Sequence, residues 1–503
     1  MATQLLKDIV SDLLKEMLPK LLQDMVPGLL EGMVPKILQE ITPALLQETL
    51  PELLQEKVPG MVSEMVSEMQ GQFGAEGDRY PYDYDTDDQP IPNAQGAFIR
   101  GDREAIEDFQ RYNKGGYHPV HLGDMLGPKK EYMVVHKLGF GGFGTVWLCR
   151  NHDQKKWVAI KIMTADAIAE QEKAPVEIQL MSLDRSMPGA EFTALPVDHF
   201  KLDGPNGTHQ CIVLPFLGPC VSPNLWTRFS NPAPVLRSLC QQATQAMQFL
   251  HKNNLCHGDF RPANILLKIK DMDHLGDKQL LSILGNPCVT LVEMEEGRKR
   301  PASIPMYLVN PVDLSDCLPD EYLTEEICLV DFGEAFPMDS VPRALGIPVG
   351  YVPPEILIEG DDTPVIAPAS DIWALGCTLY EIRRQARLIN MADDYDDCLL
   401  DLKLILGKLP ESMWEKWADR GLYFDEHGER LGENLDDIPE DERDRSMEWN
   451  LKQPLQASWP PKKSFIDEEE QKVLADLLRK VLRYEPAERF SLEEVLEHEW
   501  FKM

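Results

Sequence analysis

The sequence predicts an α+β fold in two lobes, a small strand-rich lobe followed by a larger helical one. Residues 132–163 consist of Val-, Ile- and Tyr-rich runs broken by glycines, which is typical of strands. After about residue 235, apolar residues recur at helical spacing, at Leu236, Leu239, Cys240, Ala243, Ala246, Met247 and Leu250. A proline repeat sets residues 1–70 apart from both lobes.

Composition narrows the class of protein. The chain has 503 residues, 43% of them hydrophobic, and a formal net charge of −34. This acidity argues against nucleic acid or an anionic membrane as a direct partner and favours basic partners. No run is long and apolar enough to predict a membrane span. The 10 cysteines are scattered without a CxxC pair, so we expect neither zinc nor disulfides, and a location in the cytoplasm, the nucleus or both.

The N-terminal tail, residues 1–70, repeats with a period of eight. Its prolines mark the period, at Pro19, Pro27, Pro35, Pro43, Pro51 and Pro59. Proline inside a helix costs ~3 kcal/mol, so the repeat predicts short helical pieces or a kinked helix with an apolar stripe. Two interpretations stay open. One is a partly disordered low-complexity tail, and the other is self-association or partner docking through residues 5–68.

The rest of the chain divides by composition. Residues 78–88 are acidic and rich in turn formers, which predicts a linker over residues 71–116. From Tyr117 the pattern is that of a folded domain. We place the first lobe at residues 117–218 and the second at residues 219–503.

A glycine-rich stretch lies between two strand-like runs. It comprises Gly139, Phe140, Gly141, Gly142, Phe143, Gly144, Thr145 and Val146. Glycines at these spacings let backbone amides approach phosphate groups without a Cβ in the way. The pattern alone is equally compatible with an ordinary glycine-rich hairpin.

One strand later comes a lysine in an apolar run. Ala159 and Lys161 belong to Val-Ala-Ile-Lys, and a lysine at the end of such a strand needs an anion. A nucleotide phosphate would meet that need, with a helical glutamate holding the lysine. Glu177, between apolar neighbours, is the candidate; Glu170 and Glu172, in a more polar stretch, are its rivals.

The stretch from Cys256 to Asn264 carries an Asp and, five positions later, an Asn. A carboxylate can accept a proton and an amide oxygen can bind a divalent cation; the resemblance described below implies that Asp259 orients a substrate hydroxyl and accepts its proton and that Asn264 binds magnesium. Asp331 follows an apolar run and precedes Phe-Gly, which predicts a second magnesium ligand. We interpret His257 as structural. Any one of these patterns is a common turn, but their order along the chain is not.

Three residues match a fold rather than a chemistry. Asp371 begins an apolar helix, where it can cap the helix or bind the loop from Cys256 to Asn264. Glu355 follows Pro354, and Arg489 lies in Glu-Pro-Ala-Glu-Arg-Phe near the end of the chain. We expect these last two to form an ion pair.

Over residues 117–503 the chain resembles the eukaryotic protein kinases. It is most similar to the SR protein kinases, which phosphorylate serines in arginine-serine-rich proteins, and to a fungal-type member of them. Tyr117-His118-Pro119-Val120 resembles that family's run into its first strand, and Phe143 to Leu148, with Trp147, resembles its glycine loop. A long insert separates Asn264 from Asp331, as in that family.

The resemblance implies a serine/threonine-protein kinase that uses ATP and Mg²⁺, with a protein substrate that is basic and arginine-serine-rich. It implies that Leu214 is the gatekeeper of the nucleotide pocket and that Leu217 contacts adenine through its backbone. It also places inserts at about residues 268–326, which read as loop-like, and 384–462. The acidic runs of the second insert would suit an arginine-rich partner and equally a solvated acidic loop.

Two departures from the family pattern bear on activity. Gly258 stands where kinases usually have an arginine before the catalytic Asp. That arginine is the usual partner of a phosphorylated activation loop, so we expect activation-loop phosphorylation to be unnecessary. Arg261 replaces the catalytic-loop lysine, keeping its charge with a different geometry. These departures motivate an alternative, a pseudokinase that acts as an interaction scaffold through its N-terminal repeats.

Overall fold

The computed structural model describes residues 92–100, 105–166, 175–342, 344–360, 367–389, 394–431, 445–457 and 461–503. All of these belong to one unit of the chain, Pro90–Met503. The proline repeat, the rival residues Glu170 and Glu172, and the acidic run at 436–442 lie outside the described residues. Within the described ranges, no helix combines the length and the apolar composition needed to cross a membrane.

The strand-like runs of the first lobe form a six-stranded antiparallel sheet of order β2-β3-β4-β5-β7-β6. Its strands are β2 (Met125–Leu126), β3 (Tyr132–Gly141), β4 (Gly144–Asn151), β5 (Lys156–Met163), β6 (Asp198–Gly204) and β7 (Gly207–Pro215). Trp147, Ile160 and Ile162 are almost fully buried in its core. Burying each such side chain stabilises the sheet by roughly 1.5–3 kcal/mol. The sheet therefore holds the β3–β4 hairpin, whose tip is the glycine-rich stretch.

The second lobe is built around two buried helices, α2 (Pro232–Lys252) and α6 (Ala369–Arg384). The residues predicted to share a face of α2 are all fully buried, and α6 is buried along its whole length. The other helices are α1 (Val176–Gln179), α3 (Asp277–Leu284), α4 (Leu314–Cys317), α5 (Pro354–Glu359), α7 (Tyr395–Leu406), α8 (Glu411–Lys416), α9 (Met447–Lys452), α10 (Glu468–Val481) and α11 (Leu492–Glu497). The predicted α+β, two-lobed fold is confirmed.

Short antiparallel ladders position the functional loops. β8 (Leu255–Cys256) pairs with β13 (Phe336–Pro337), and β9 (Ile265–Ile269) pairs with β12 (Leu323–Leu329). A further pair, β14 (Leu455–Ala457) and β15 (Lys462–Ser464), lies near the C-terminus. The loop from His257 to Asn264 thus connects β8 to β9, and Asp331 lies just beyond the end of β12.

The linker prediction for residues 71–116 is wrong for the part that is described. β1 (Ala97–Ile99) is buried and pairs with β10 (Val289–Met294), and Phe109 and Tyr112 are buried beside it. A run of three apolar residues is too short to predict a strand by itself. Its partner strand is distant in the sequence, so local composition could not reveal the pairing.

The loop-like interpretation of residues 268–326 is also wrong. This insert contains α3, β10, β11 (Tyr307–Val309), α4 and most of β12, and it forms a sheet of order β1-β10-β11. The prolines that suggested a loop lie between these elements, at Pro287, Pro301, Pro305, Pro311 and Pro319. Prolines at element boundaries are compatible with a folded insert because they remove no ladder hydrogen bond there.

Candidate active site

The glycine-rich stretch forms the tip of the β3–β4 hairpin and one wall of a cavity of about 430 Å³. A Cβ built on Gly141 or Gly142 would meet no atom within 4 Å, so the tip borders open space. Gly144 differs, because a Cβ there would lie 2.3 Å from the carbonyl oxygen of Ile162. Glycine is therefore required at position 144 by the close approach of the neighbouring strand.

Most of the residues predicted to bind the nucleotide line this cavity: Gly139, Phe140, Gly141, Gly142, Phe143, Gly144, Val146, Ala159, Lys161, Leu214 and Leu217. The prediction for Thr145 is wrong. Its side chain is buried away from the cavity, and its Oγ1 accepts a hydrogen bond from the indole N–H of Trp147 at 2.9 Å. Successive side chains of a strand point to opposite faces, so Thr145 is turned away where its neighbour Val146 faces the cavity.

Lys161 connects the two lobes through its ammonium group. The Nζ atom lies 3.2 Å from Oε1 of Glu177 on α1 and 2.7 Å from Oδ1 of Asp331 beyond β12. Lys161 and Glu177 are both buried, so their contact is shielded from water, whereas the Asp331 side chain is about half exposed toward the cavity. Glu177 lies outside the cavity wall and acts on the cavity through Lys161.

The electrostatics of this cluster favour its charged state. Burial alone would lower the pKa of Lys161, but the carboxylates of Glu177 and Asp331 outweigh burial and raise it. Burial alone would raise the pKa of Asp331, and the ammonium of Lys161 outweighs it in the other direction. Both groups therefore stay ionised near neutral pH, with a fixed cation facing the cavity.

The loop from β8 to β9 brings three predicted residues together. Nδ2 of Asn264 donates to Oδ2 of Asp259 at 2.7 Å and to its backbone carbonyl at 2.9 Å. Nε of Arg261 lies 3.0 Å from Oδ1 and 3.1 Å from Oδ2 of the same carboxylate. Asp259 is thus held by one neutral and one charged donor.

Asp371, the first acidic residue of α6, fixes the start of this loop. Its carboxylate accepts from the backbone N–H of His257 at 2.7 Å and of Gly258 at 3.0 Å, and lies 3.0 Å from Nε2 of His251. His257 in turn contacts the carbonyl oxygen of Val330 through Nε2 at 3.1 Å. The loop and the segment that carries Asp331 are therefore joined through a buried imidazole, which agrees with a structural role for His257.

The departure at Gly258 has a local cause. Gly258 adopts a φ of +77°, and a Cβ there would lie 2.2 Å from the carbonyl oxygen of Glu334. A side chain at this position would meet both a left-handed backbone and a steric conflict. Glycine lets the catalytic loop lie directly against the segment after Asp331.

Two side chains offer oxygen atoms for a divalent cation. Asn264 uses its Nδ2 toward Asp259, which leaves its Oδ1, and Asp331 uses Oδ1 toward Lys161, which leaves its Oδ2. The backbone N–H of Val330 donates to the carbonyl of Asn264 at 2.9 Å, so the two residues lie on adjacent segments. Amide and carboxylate oxygens are the ligands that hard divalent cations prefer.

Comparison with known proteins agrees with this geometry. A sequence profile described as "Protein kinase domain" matches residues 132–280 and 318–501, more than half of the chain. The chain belongs to the protein kinase family. The gap between the two matched ranges falls inside the insert, and residues 97–131 precede the match.

Individual relatives point to one branch of the family. The human SRSF protein kinase 3 is 38% identical over 191 residues, 36% of this chain and 33% of that relative, so the chain spans about a third of its length. A serine/threonine-protein kinase SRPK of Physarum polycephalum is 28% identical over 432 residues, 81% of this chain and 93% of the relative. The resemblance to the SR protein kinases is confirmed.

A solved structure shares the fold. It is described as the crystal structure of a kinase domain, and it superposes with a TM-score of 0.50 at 18% identity. The superposition covers 76% of this chain and 98% of that one. At this identity the likeness concerns the fold alone.

Two leucines that the resemblance assigns to the nucleotide pocket, Leu214 and Leu217, line the cavity. Leu214, near the end of β7, pairs with Ala159 of β5, and both line the cavity. Leu217 follows β7, and none of its backbone groups bonds another backbone group in the described part of the chain. Those groups can therefore bind an adenine ring.

Farther away, Arg489 binds the carboxylate of Glu355 at 3.0 and 2.5 Å, both residues being buried.

Sequence reasoning missed one wall of the cavity. The residues of the insert that line it are Val312, Asp313, Leu314 and Ser315. The N–H of Val312 donates to the carbonyl of Lys137 on β3 at 2.9 Å, which attaches this wall to the first lobe. No motif marks this segment, because its place follows from the folding of the whole insert.

Proposed function

We propose that the protein is a serine/threonine-protein kinase that transfers the γ-phosphoryl group of ATP to a hydroxyl group of a protein substrate. The observation that carries the proposal is the contact of Lys161 Nζ with the carboxylates of both Glu177 and Asp331. In protein kinases the ion pair between this lysine and this glutamate must be in place for transfer, and the aspartate at the position of Asp331 must be free to hold magnesium.

The chain's own groups suit the reaction. Lys161 presents a fixed positive charge to the nucleotide phosphates, and the glycine-rich tip covers them with backbone amides. Asp259 orients the substrate hydroxyl and accepts its proton as the hydroxyl oxygen bonds to the γ-phosphorus. The bond from that phosphorus to the bridging oxygen breaks, and ADP leaves. Arg261, bound to Asp259, keeps its carboxylate oriented toward the substrate.

Mg²⁺ is the divalent cation we propose for Asn264 and Asp331, since its preference for oxygen ligands matches theirs. When bound, it neutralises charge on the phosphate oxygens. Asp331 is held ionised by Lys161, so this ligand needs no proton loss on binding.

The geometry favours activity over the pseudokinase alternative. The two departures that motivated the alternative have local explanations: Gly258 is required by its backbone, and Arg261 binds the carboxylate of Asp259. Neither removes a charge that phosphoryl transfer needs. ATP binding without any transfer would restore the alternative.

We propose arginine-serine-rich proteins as substrates. Support comes from the names of the relatives, SRSF protein kinase 3 and SRPK, and from the net charge of −34, which attracts basic partners. The test is transfer of labelled phosphate from ATP to an arginine-serine peptide and to an acidic-directed serine peptide, with Asp331→Ala as the control. Transfer to the first peptide, lost in the control, is expected. Transfer to the second peptide only would support kinase activity and contradict the proposed substrate class.

The location and the tail remain proposals as well. We propose residence in the cytoplasm, the nucleus or both, which imaging of a fluorescent fusion would test. For residues 5–68 we propose self-association or partner docking. Light scattering of the chain with and without residues 1–70 tests self-association. The same number of chains per particle in both samples would contradict it.

A further inference from the structure

We propose that Arg111 and Tyr117, which precede the residues matched by the protein kinase profile, are positioning residues that hold the glycine-rich tip in its phosphate-binding conformation. Both lie in the region that composition alone assigned to a linker or its boundary. The proposal rests on the proposed function only through its ligand, ATP.

The contacts are direct. Nη1 of Arg111 donates to the carbonyl oxygen of Gly142 at 2.6 Å, and the hydroxyl of Tyr117 donates to that of Gly141 at 2.8 Å. The same Nη1 lies 3.2 Å from the Tyr117 hydroxyl, and the guanidinium carbon lies 4.7 Å from the centre of the tyrosine ring. The two side chains thus form one unit, which we call the carbonyl clamp.

The clamp fixes the direction of the amide groups that face the phosphates. A third carbonyl, that of Phe143, accepts from the N–H of Thr164 at 3.0 Å, so three consecutive carbonyls are bound. In a trans peptide the carbonyl of one residue and the N–H of the next point in opposite directions. The N–H groups of Gly142 and Phe143 therefore point away from the clamp, and neither donates to a backbone group among the described residues.

This arrangement favours an anion in two ways. Glycine loses more conformational freedom on ordering than other residues, so a tip ordered before binding spares the nucleotide that cost. A charged donor on the carbonyl of Gly142 also polarises its peptide group, which strengthens the N–H of Phe143 as a donor. Preorganised donors of this kind stabilise phosphate charge.

The clamp has a firm base. The N–H of Tyr117 donates to the carbonyl of Arg111 at 2.9 Å, which closes a turn, and Gly116 lies inside it, where a Cβ would be 1.8 Å from that carbonyl. Nδ2 of Asn206, in the β6–β7 turn, donates to the carbonyl of Tyr117 at 2.7 Å. Tyr112, inside the turn, donates its hydroxyl to Glu107, which forms an ion pair with the fully buried Lys137 of β3.

The test is calorimetric titration of the full-length chain with ATP and with adenosine, which lacks phosphates. Arg111→Ala is expected to weaken ATP binding about five- to tenfold, and Tyr117→Phe about two- to threefold, since charged donors contribute more. Adenosine binding should change less than about twofold in both. In kinetics, the KM for ATP should rise while kcat changes little.

Two further variants separate positioning from general damage. Arg111→Lys keeps a cationic donor and should recover part of the ATP affinity. Arg100→Ala removes an exposed arginine of the same region that binds Glu293 at 2.8 Å and should leave both affinities unchanged. Equal losses for ATP and adenosine, or no loss for ATP in Arg111→Ala, would overturn the proposal. ATP binding with these effects but without phosphate transfer would overturn the kinase activity and leave the clamp standing.

Discussion

The guanidinium Nε of Arg261 lies 3.0 Å from Oδ1 and 3.1 Å from Oδ2 of Asp259, so the base of the proposed reaction is held by a cation two positions away. We predict that Arg261→Ala lowers kcat at least about tenfold, because Asp259 loses the donor that orients it. Arg261→Lys keeps the charge but not the same reach, so its kcat should be intermediate. Steady-state kinetics at saturating ATP measure both.

The control for this pair is Lys268→Ala on β9, four residues beyond the end of the loop, which removes a partly exposed ion pair with Glu326. Its kcat should equal that of the wild type. An unchanged kcat in Arg261→Ala would mean that Asn264 alone orients Asp259.

Gly258→Ala should destabilise the protein by at least about 2 kcal/mol, because it combines a left-handed φ of +77° with a Cβ 2.2 Å from the Glu334 carbonyl. Gly297→Ala is the matched control. Its φ is +79°, but a Cβ would meet no atom within 4 Å, so the cost should be about 1 kcal/mol. Chemical denaturation compares the two, and equal costs would show that the contact with Glu334 is relieved by small shifts.

Glu107→Gln should destabilise the protein by about 3–5 kcal/mol, since it leaves the fully buried ammonium of Lys137 without its counter-charge. Adding Lys137→Met to this variant should recover part of the loss, because no charge then remains to be desolvated. Free energies of unfolding from chemical denaturation give both values. A double variant less stable than the single one would contradict the prediction.

Stability should fall as the pH drops from about 6.5 toward 4, partly because of His118. Burial lowers its pKa to about 4; neighbouring His209 and His121 lower it too, whereas Asp124 opposes them. In the unfolded chain the imidazole takes up a proton near pH 6.5, which the folded state does not bind until about pH 4. Over this window stability is lost by about 1.4 kcal/mol per pH unit for one such proton.

His118→Phe should flatten this slope, because it removes the proton uptake while keeping a ring; Nδ1 of His118 has no hydrogen-bond partner to lose. The exposed His152, changed to Gln, serves as the control. Denaturation midpoints at several pH values measure the slopes. Equal slopes in the wild type and His118→Phe would assign the pH dependence to other groups.

Sequence reasoning worked where function demands particular residues at fixed spacings. The order of the glycine-rich stretch, Lys161, Asp259 and Asp331 along the chain predicted the fold. In the structure the glycine-rich stretch, Lys161 and Asp331 line one cavity. It failed where pairing between strands that are distant in the sequence determines which residues are folded. β1 and β10 are each short and lie far apart in the chain, and only their pairing shows that residues 97–99 belong to the folded unit.

The same limit applies to the cavity itself. The wall at Val312–Ser315 and the clamp of Arg111 and Tyr117 depend on how whole segments fold back onto β3, and no local pattern encodes that approach. The error at Thr145 has a different origin. The motif is contiguous, but successive side chains of a strand point to opposite faces, so only some of its residues face the cavity.

In the proposed reaction, Asp259 promotes phosphate transfer within an intact nucleotide site. The most direct measurement compares the wild type with Asp259→Asn for transfer of the labelled γ-phosphate of ATP to an arginine-serine peptide, together with ATP affinity by calorimetry. We expect transfer in the wild type, a loss of about a hundredfold or more in the variant, and similar ATP affinity in both. A wild-type chain that binds ATP and transfers no phosphate, or a variant that transfers it as fast, would contradict it.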